Sequence, residues 1–267
     1  MNATTRTVMM TVAALTLVLA AVPANAQPAA TAVTPTPSPA ERVATAVSAA
    51  SGSLLAYQTA AARTALEPVA ATAGGNAAFA LALGQVLDQE KKYPEAAEQF
   101  RKASTAAPAD PLPQIMLGET LIRAKSPDAS AAFTRAADLA KAAIVADAAS
   151  GKAWYALGVA QQRLKQFGQA ITTLQKAIEL RAGDPLPVYQ LGVTYAFSQK
   201  WGDAVATLSR SIEISPNLAY AYYYRALAQD KMGKKDRLVL DMEHFLALAP
   251  TAPEAERALA VVKAAKR

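Results

Sequence analysis

The side chains that most often carry out chemistry in enzymes are scarce in this sequence. The chain of 267 residues has a single histidine, His244, and no cysteine. That composition leaves no Cys–His pair and no recognisable set of metal ligands. A Ser-His-Asp site would have to be built on His244, and the sequence has no Gly-x-Ser-x-Gly turn. We therefore expect no catalytic residue, no metal site and no cofactor, and we interpret His244 as a partly exposed helical histidine.

Small residues recur along the chain at a nearly fixed step. They are Gly84, Gly118, Gly158, Gly192 and Ala226, and the gaps between them are 34, 40, 34 and 34 residues. A period in this range is typical of stacked helical repeats. Such arrays usually present a surface to a partner and seldom carry out chemistry. The period therefore predicts an all-α solenoid that recognises another molecule and is not an enzyme.

The residues around each small position follow one pattern, which is clearest in the unit that begins at Ala77. Its large and small apolar residues and its final proline are Leu83, Gly84, Leu87, Tyr93, Ala96, Phe100, Ala103 and Pro108. This pattern resembles the tetratricopeptide repeat (TPR). The resemblance implies a right-handed α-solenoid of stacked antiparallel helix pairs, with about five units that start near residues 77, 111, 151, 185 and 219. The unit at 111 is the least regular, and its six additional residues predict a second helix that is about two turns longer.

The first residues have a different composition. Arg6 precedes an uncharged, mostly apolar run from Val8 to Val22, and Ala24-Asn25-Ala26 follows. This arrangement is typical of a secretory signal peptide, so we expect residues 1–26 to be removed and the protein to be periplasmic or secreted. The alternative is an uncleaved anchor in the inner membrane, although the apolar run is shorter than the roughly 20 residues that span a bilayer.

The remaining segments flank the repeats. Residues 27–40 are rich in proline, alanine and threonine and predict a flexible linker. Residues 41–76 predict an N-terminal helical cap that breaks near Ser51, and residues 77–250 form the array. Residues 251–267 predict a C-terminal capping helix. Lysine and arginine collect toward the C-terminus. They predict either a solvated helix surface or a weak contact with an anionic membrane or polysaccharide, and nothing in the sequence indicates nucleic-acid binding.

The TPR resemblance also implies which residues face a partner. In that family, five positions of each first helix line the concave groove. Carried over to this chain, several of them are polar in the first two units (Gln85, Gln89, Glu119 and Arg123), whereas the last three units have a stripe of tyrosines bordered by apolar residues. The predicted peptide-binding residues are Tyr155, Val159, Leu186, Tyr189, Val193, Phe197, Tyr220 and Tyr223. The alternative for the tyrosines at 155, 189 and 223 is that their rings pack between adjacent repeats.

These observations favour an exported, non-enzymatic adaptor that binds a protein or peptide segment and assembles components of the cell envelope. One alternative is an accessory subunit of an envelope enzyme or of a secretion or polysaccharide machine. A second alternative is an enzyme in its own right, which would have to use His244. The sequence names no partner and no oligomeric state, because this fold serves many functions.

Overall fold

The computed structural model describes residues 37–55 and 57–265, which fall within one compact unit. The predicted signal peptide and residues 27–36 of the predicted linker lie outside the described residues. Among the described residues, no helix has the length and hydrophobicity needed to cross a membrane.

Helices make up most of the described part of the chain. Their bounds are α1 Pro39–Leu55, α2 Thr59–Leu66, a 3₁₀ turn at Glu67–Val69, α3 Ala77–Gln89, α4 Tyr93–Ala106, α5 Leu112–Arg123, α6 Ala129–Ala146, α7 Gly151–Arg163, α8 Phe167–Leu180, α9 Pro185–Phe197, α10 Trp201–Ile214, α11 Ala219–Lys231, α12 Lys235–Leu248 and α13 Ala255–Ala265.

Each helix from α3 to α12 packs against the next one, so the chain forms a stack of helix pairs. The pairs are α3–α4, α5–α6, α7–α8, α9–α10 and α11–α12. At one end α1 and α2 pack against each other and against α3, and at the other end α13 packs against α12. The prediction of an all-α solenoid of stacked helix pairs is confirmed.

The small residue of each unit allows the two helices of a pair to approach closely. A Cβ atom at Gly84 would lie 2.6 Å from the Phe100 ring, and one at Gly192 would lie 2.6 Å from Leu208. Real Cβ atoms do not come this close, because repulsion rises steeply inside van der Waals contact. The last pair has Ala226 at this place and the flexible Met242 opposite it, and both side chains are buried.

The turn between the two helices of each pair is the same throughout the array. The second residue after each first helix adopts a left-handed backbone, with φ between 57° and 73°. These residues are Lys91, Lys125, Lys165, Gln199 and Gly233. The N–H of the following residue then donates back to the carbonyl five residues earlier, as Lys92 N–H does to the Leu87 oxygen at 2.8 Å. This is a Schellman arrangement, which satisfies carbonyls at the helix end.

Two local predictions differ from the structure. The longer second helix of the 111 unit is present, but α6 has 18 residues where α4 has 14, which is about one additional turn. The rest of the insertion lies in the connection 124–128, which has five residues where the other pairs have three. The predicted break near Ser51 is also wrong, because α1 continues to Leu55 and the chain turns at Tyr57, where φ is 53°.

Candidate peptide-binding groove

Ion pairs line the N-terminal half of the candidate groove. Each pair joins one helical unit to the next, because an arginine on one unit contacts a carboxylate on its neighbour. The pairs are Arg63–Glu90, Arg123–Asp88 and Arg163–Glu119. We call these six residues the ion-pair ladder. The carboxylates in the ladder are partly buried, so the pairs contribute to the packing between units.

The first two pairs of the ladder have the bidentate geometry that favours arginine. Arg63 donates from Nε and Nη2 to the two oxygens of Glu90, both at 2.6 Å. Arg123 contacts Asp88 at 2.6 Å through Nη2 and at 3.1 Å through Nε. The guanidinium of Arg63 lowers the pKa of the Glu90 carboxyl, since the hydrogen bonds favour its ionised form. The charges of the ladder are therefore paired with each other within the protein.

Aromatic rings line the C-terminal half. Tyr224 lies at the centre, and its ring centroid is 6.2 Å from that of Tyr189, 6.1 Å from that of Phe197 and 5.5 Å from that of Tyr223. Tyr220 extends the group, with its centroid 6.4 Å from that of Tyr224 and 5.4 Å from that of Phe245. We call Tyr189, Phe197, Tyr220, Tyr223 and Tyr224 the aromatic cluster. Rings at these separations and tilts attract each other beyond the area that they bury.

A cavity of about 460 Å³ opens beside the aromatic cluster. Its apolar wall contains Phe197, Tyr224 and Leu227, and charged side chains stand at its rim: Asp230, Lys231, Glu254 and Arg257. The Phe197 side chain is 46% exposed, which is unusual for a phenylalanine that touches other rings. An apolar wall with charged groups of both signs around it can hold a short stretch of peptide.

Burial changes the acid–base behaviour of the tyrosines. It raises the pKa of Tyr155 and of Tyr224 to about 12, and the pKa of Tyr189 well above its usual value, because the phenolate would lose its hydration. Burial also raises the pKa of Tyr220, and the Tyr57 phenol and the Glu254 carboxylate near its hydroxyl act in the same direction. These tyrosines are therefore neutral hydroxyl groups at physiological pH.

The structure distributes the predicted binding residues over different environments. Leu186 and Phe197 are exposed, and Tyr155, Tyr189 and Tyr220 are partly buried. Val159, Val193 and Tyr223 are buried in the cores between helices, so their side chains do not face an open groove as expected. The predicted strip is consequently not one continuous open surface. A binding role for its exposed members stays a prediction.

Three residues in or beside this region were missing from the predicted set. Tyr224 follows the predicted Tyr223 directly and makes more of the contacts in the cluster. Leu227 joins it on the cavity wall. Tyr57, from the connection between α1 and α2, brings its ring to 6.0 Å from that of Tyr220. Tyr224 could have been found from its place beside a groove position, whereas no local pattern predicts the approach of Tyr57.

The outer face of the last repeats has a larger cavity of about 840 Å³. Its lining includes Lys234, Lys235, Arg237 and His244 together with the ion pair between Arg225 and Asp241. His244 is exposed and its ring stacks on that of Tyr222 with centroids 5.1 Å apart. Within the described ranges, no group of three or more side chains is placed to hold a metal ion.

Comparisons with known proteins agree with this geometry. A family model described as a tetratricopeptide repeat matches residues 151–184, which contain α7 and α8. A search of curated proteins returned no match. Among solved structures, the chain is similar to TTC0263, a thermophilic TPR protein of Thermus thermophilus. The two share 19% identity and a TM-score of 0.56, over 69% of this chain and 97% of that one.

Two further structures show the same fold at similar distances. PilW, described as a widely conserved type IV pilus biogenesis factor, shares 18% identity and a TM-score of 0.51, over 83% of this chain and 98% of its own. A chain of the APC/C hetero-tetramer Cut9–Hcn1 shares 16% identity and a TM-score of 0.55, over 84% of this chain and 43% of that one. The resemblance to tetratricopeptide-repeat proteins is thereby confirmed, and at these identities the agreement concerns the fold.

Proposed function

We propose that this tetratricopeptide-repeat array is a non-enzymatic scaffold that binds a segment of another protein at the aromatic cluster. The observation that carries the proposal is the half-exposed Phe197 ring on the wall of the 460 Å³ cavity. Phe197 lies beside Tyr224 and is 46% exposed, so a ligand side chain that covers it gains apolar contact. The ion-pair ladder, in contrast, has no excess charge to offer a ligand.

The cavity suggests the chemistry of the segment. An extended peptide with an aliphatic or aromatic side chain would place that side chain against Phe197, Tyr224 and Leu227. Flanking charges on the peptide would meet Lys231 and Arg257 or Asp230 and Glu254 at the rim. Rim charges of both signs contribute more to the orientation of the peptide than to its affinity.

The binding test starts from a selected peptide, since the natural partner is unidentified. Random peptides of about twelve residues, long enough to span several repeats when extended, are displayed on phage and selected on the purified protein, and the best one is titrated by calorimetry. We expect Phe197→Ala to weaken binding at least tenfold, which corresponds to about 1.4 kcal/mol. The matched control is Leu240→Ala, because Leu240 is a similarly exposed apolar residue that lines the outer cavity instead.

Two results would contradict the proposed site. Equal affinity for the Phe197→Ala variant and the unsubstituted protein would remove Phe197 from the binding surface. Loss of binding in Leu240→Ala alone would place the site on the outer face. Thermal melting of both variants accompanies the titration, and we expect little change, because half-exposed side chains contribute little to the core.

We further propose that the scaffold acts outside the cytoplasm, in the periplasm or as a secreted protein, where it helps to assemble components of the cell envelope. This part rests on the signal-peptide pattern of residues 1–26 alone. Fractionation of cells followed by mass spectrometry of the N-terminus tests it, and we expect a mature chain that begins at Gln27. A chain that retains its first residues in the membrane fraction would favour the uncleaved anchor.

A further inference from the structure

A contact joins the two ends of the described array. The Thr251 hydroxyl donates a hydrogen bond of 3.1 Å to the carbonyl oxygen of Tyr57, a residue 194 positions earlier in the chain. The Tyr57 ring also lies 6.0 Å from the Tyr220 ring, at an interplanar angle of 43°, and packs against the core of the last repeat. The connection between α1 and α2 therefore touches the far end of the array.

This connection is held firmly on its own side. The Tyr57 N–H donates to the Leu54 oxygen at 3.1 Å, within a turn that gives Tyr57 its left-handed backbone. Gln89 of α3 donates from Nε2 to the same Leu54 oxygen at 3.2 Å and accepts from the Thr59 hydroxyl at 2.6 Å. Since α3 belongs to the first repeat, the position of Tyr57 is fixed relative to the groove.

The opposite side of the contact is also tied down. The Tyr220 hydroxyl donates to the Glu254 carboxylate, which links α11 to the segment before α13. Thr251 lies in the same segment, just after α12. Both partners of Tyr57 are thus fixed to the last repeat, and any movement that separates them must move the two ends of the solenoid apart.

Two cavities beside the contact are lined by Tyr57 and by residues from both ends of the array. One cavity, of about 520 Å³, is lined from the N-terminal side by Gln85, Asp88 and Arg123 and from the C-terminal side by Tyr220. The other, of about 570 Å³, is lined by Gln89 on one side and by Thr251 and Pro253 on the other. Asp88 and Arg123 of the ladder and Tyr220 of the aromatic cluster thus line one cavity together with Tyr57. A chain that enters the groove at this cavity meets Tyr57.

We propose that Tyr57, Tyr220 and Thr251 form a reversible clasp that closes the groove in the unliganded protein and opens when a protein segment binds. The purpose of the clasp rests on the proposed function, since it closes the groove to which we assign peptide binding. One hydrogen bond and one pair of rings favour the closed form by roughly 10- to 100-fold. A ligand that needs the open form then binds more weakly by the same factor, because only the open fraction is competent.

The clasp can be tested without any ligand. The chain has no cysteine, so Thr64→Cys and Glu256→Cys, both at exposed positions on either side of the clasp, accept two spin labels. Double electron–electron resonance spectroscopy then gives the distribution of distances between the two labels. We expect one narrow distance for the labelled protein. In the added variants Tyr57→Ala and Thr251→Val, we expect the share of a longer distance to rise by about tenfold.

Two matched control variants distinguish opening of the clasp from a general loss of stability. Tyr93→Ala removes a partly buried tyrosine at the start of α4, and Thr105→Val removes a hydroxyl that bonds only within α4. Neither should change the distance distribution. The proposal is overturned if Tyr57→Ala and Thr251→Val leave the distribution narrow and unshifted, or if the control variants broaden it equally.

A second measurement connects the clasp to binding. Cysteines at Gln58 and Thr251, joined by a short bis-maleimide, hold the clasp closed, and the phage-selected peptide is titrated before and after cross-linking. We expect cross-linking to slow association at least tenfold, and Tyr57→Ala to speed it. If the spin labels report opening but the peptide associates equally fast in both forms, the clasp as a gate is overturned while the binding site stands. If no peptide is selected, the proposed function fails and the distance measurement still decides whether the clasp exists.

Discussion

The two halves of the groove are built on one backbone frame and lined by different chemistry. In both halves a first helix ends in the same left-handed turn, and a small residue lies opposite a large one in the partner helix. The N-terminal half adds charged pairs that connect successive units, and the C-terminal half adds aromatic rings that do the same. The frame is therefore set by a few backbone-defining positions, which leaves the groove positions free to differ between repeats.

The difference between the halves has a consequence for recognition. An arginine–carboxylate pair that is satisfied within the protein has little affinity left for a ligand, because a new partner would have to break it. A half-exposed ring has no such competitor. The aromatic half is therefore the half in which we propose that a ligand binds, while the ion-pair ladder connects successive units. Three predictions can break or sharpen this comparison.

The largest expected effect comes from alkaline pH, which acts on the tyrosines of the aromatic half. Their pKa values are raised on folding, so as pH rises past about 10 the unfolded chain loses phenolic protons first. Below pH 10 the free energy of unfolding therefore keeps the full contribution of these tyrosines. Above pH 10 it falls, by up to about 2–3 kcal/mol for each of Tyr155 and Tyr224 by pH 12, where their pKa values lie. Urea titrations at pH 8, 10, 11 and 12, followed by tryptophan fluorescence, measure the loss.

A phenylalanine variant provides the control for this prediction. Tyr155→Phe, Tyr189→Phe and Tyr224→Phe together keep the rings and remove the groups that ionise. This variant should lose less stability between pH 10 and 12 than the unsubstituted protein, because three of the buried phenols are gone, while the raised pKa of Tyr220 remains. If it loses stability as steeply as the unsubstituted protein, the alkaline sensitivity belongs to other groups. The loss of stability at alkaline pH would then say nothing about the difference between the two halves.

The sequence predicted the frame better than the lining, for a physical reason. The close approach at Gly84 and Gly192 and the turn after each first helix depend on local residues, which repeat with the period of the array. Burial of Val193 and Tyr223 depends on neighbouring repeats, and the family positions describe an average groove. The contact of Tyr57 with Thr251 joins residues that are 194 positions apart. It depends on how all the repeats between them stack, so the sequence of no single repeat predicts it.

The second prediction concerns the ion-pair ladder. Glu119→Gln leaves the Arg163 guanidinium without its carboxylate in a partly buried position, which should lower the free energy of unfolding by about 1–3 kcal/mol. Urea denaturation measures the change. The matched control is Glu98→Gln, which removes the exposed pair with Lys102 and should change the free energy of unfolding far less.

The same variant also tests what the ladder is for. If the ladder only holds the units together, Glu119→Gln destabilises the protein but leaves the affinity for the phage-selected peptide unchanged at temperatures where the variant is folded. A tenfold loss of affinity without loss of stability would mean that the N-terminal half binds the ligand as well. The division of roles between the halves would then be wrong.

The smallest expected effect lies in the shared turn, and it tests whether the frame is truly the same in both halves. Lys125, Lys165 and Gln199 have a left-handed backbone that glycine adopts without strain, as Gly233 already does in the last repeat. Glycine at these positions also makes the unfolded chain more flexible, so the net gain should be about 0.5–1 kcal/mol each. Urea denaturation of Lys125→Gly, Lys165→Gly and Gln199→Gly measures this gain.

Lys176→Gly in the middle of α8 is the control, and it should lower the free energy of unfolding, because glycine weakens a helix interior. Equal gains at 125 and 199 would show that the halves differ in their lining alone, whereas a gain confined to one half would mean that the backbone frame itself differs between them.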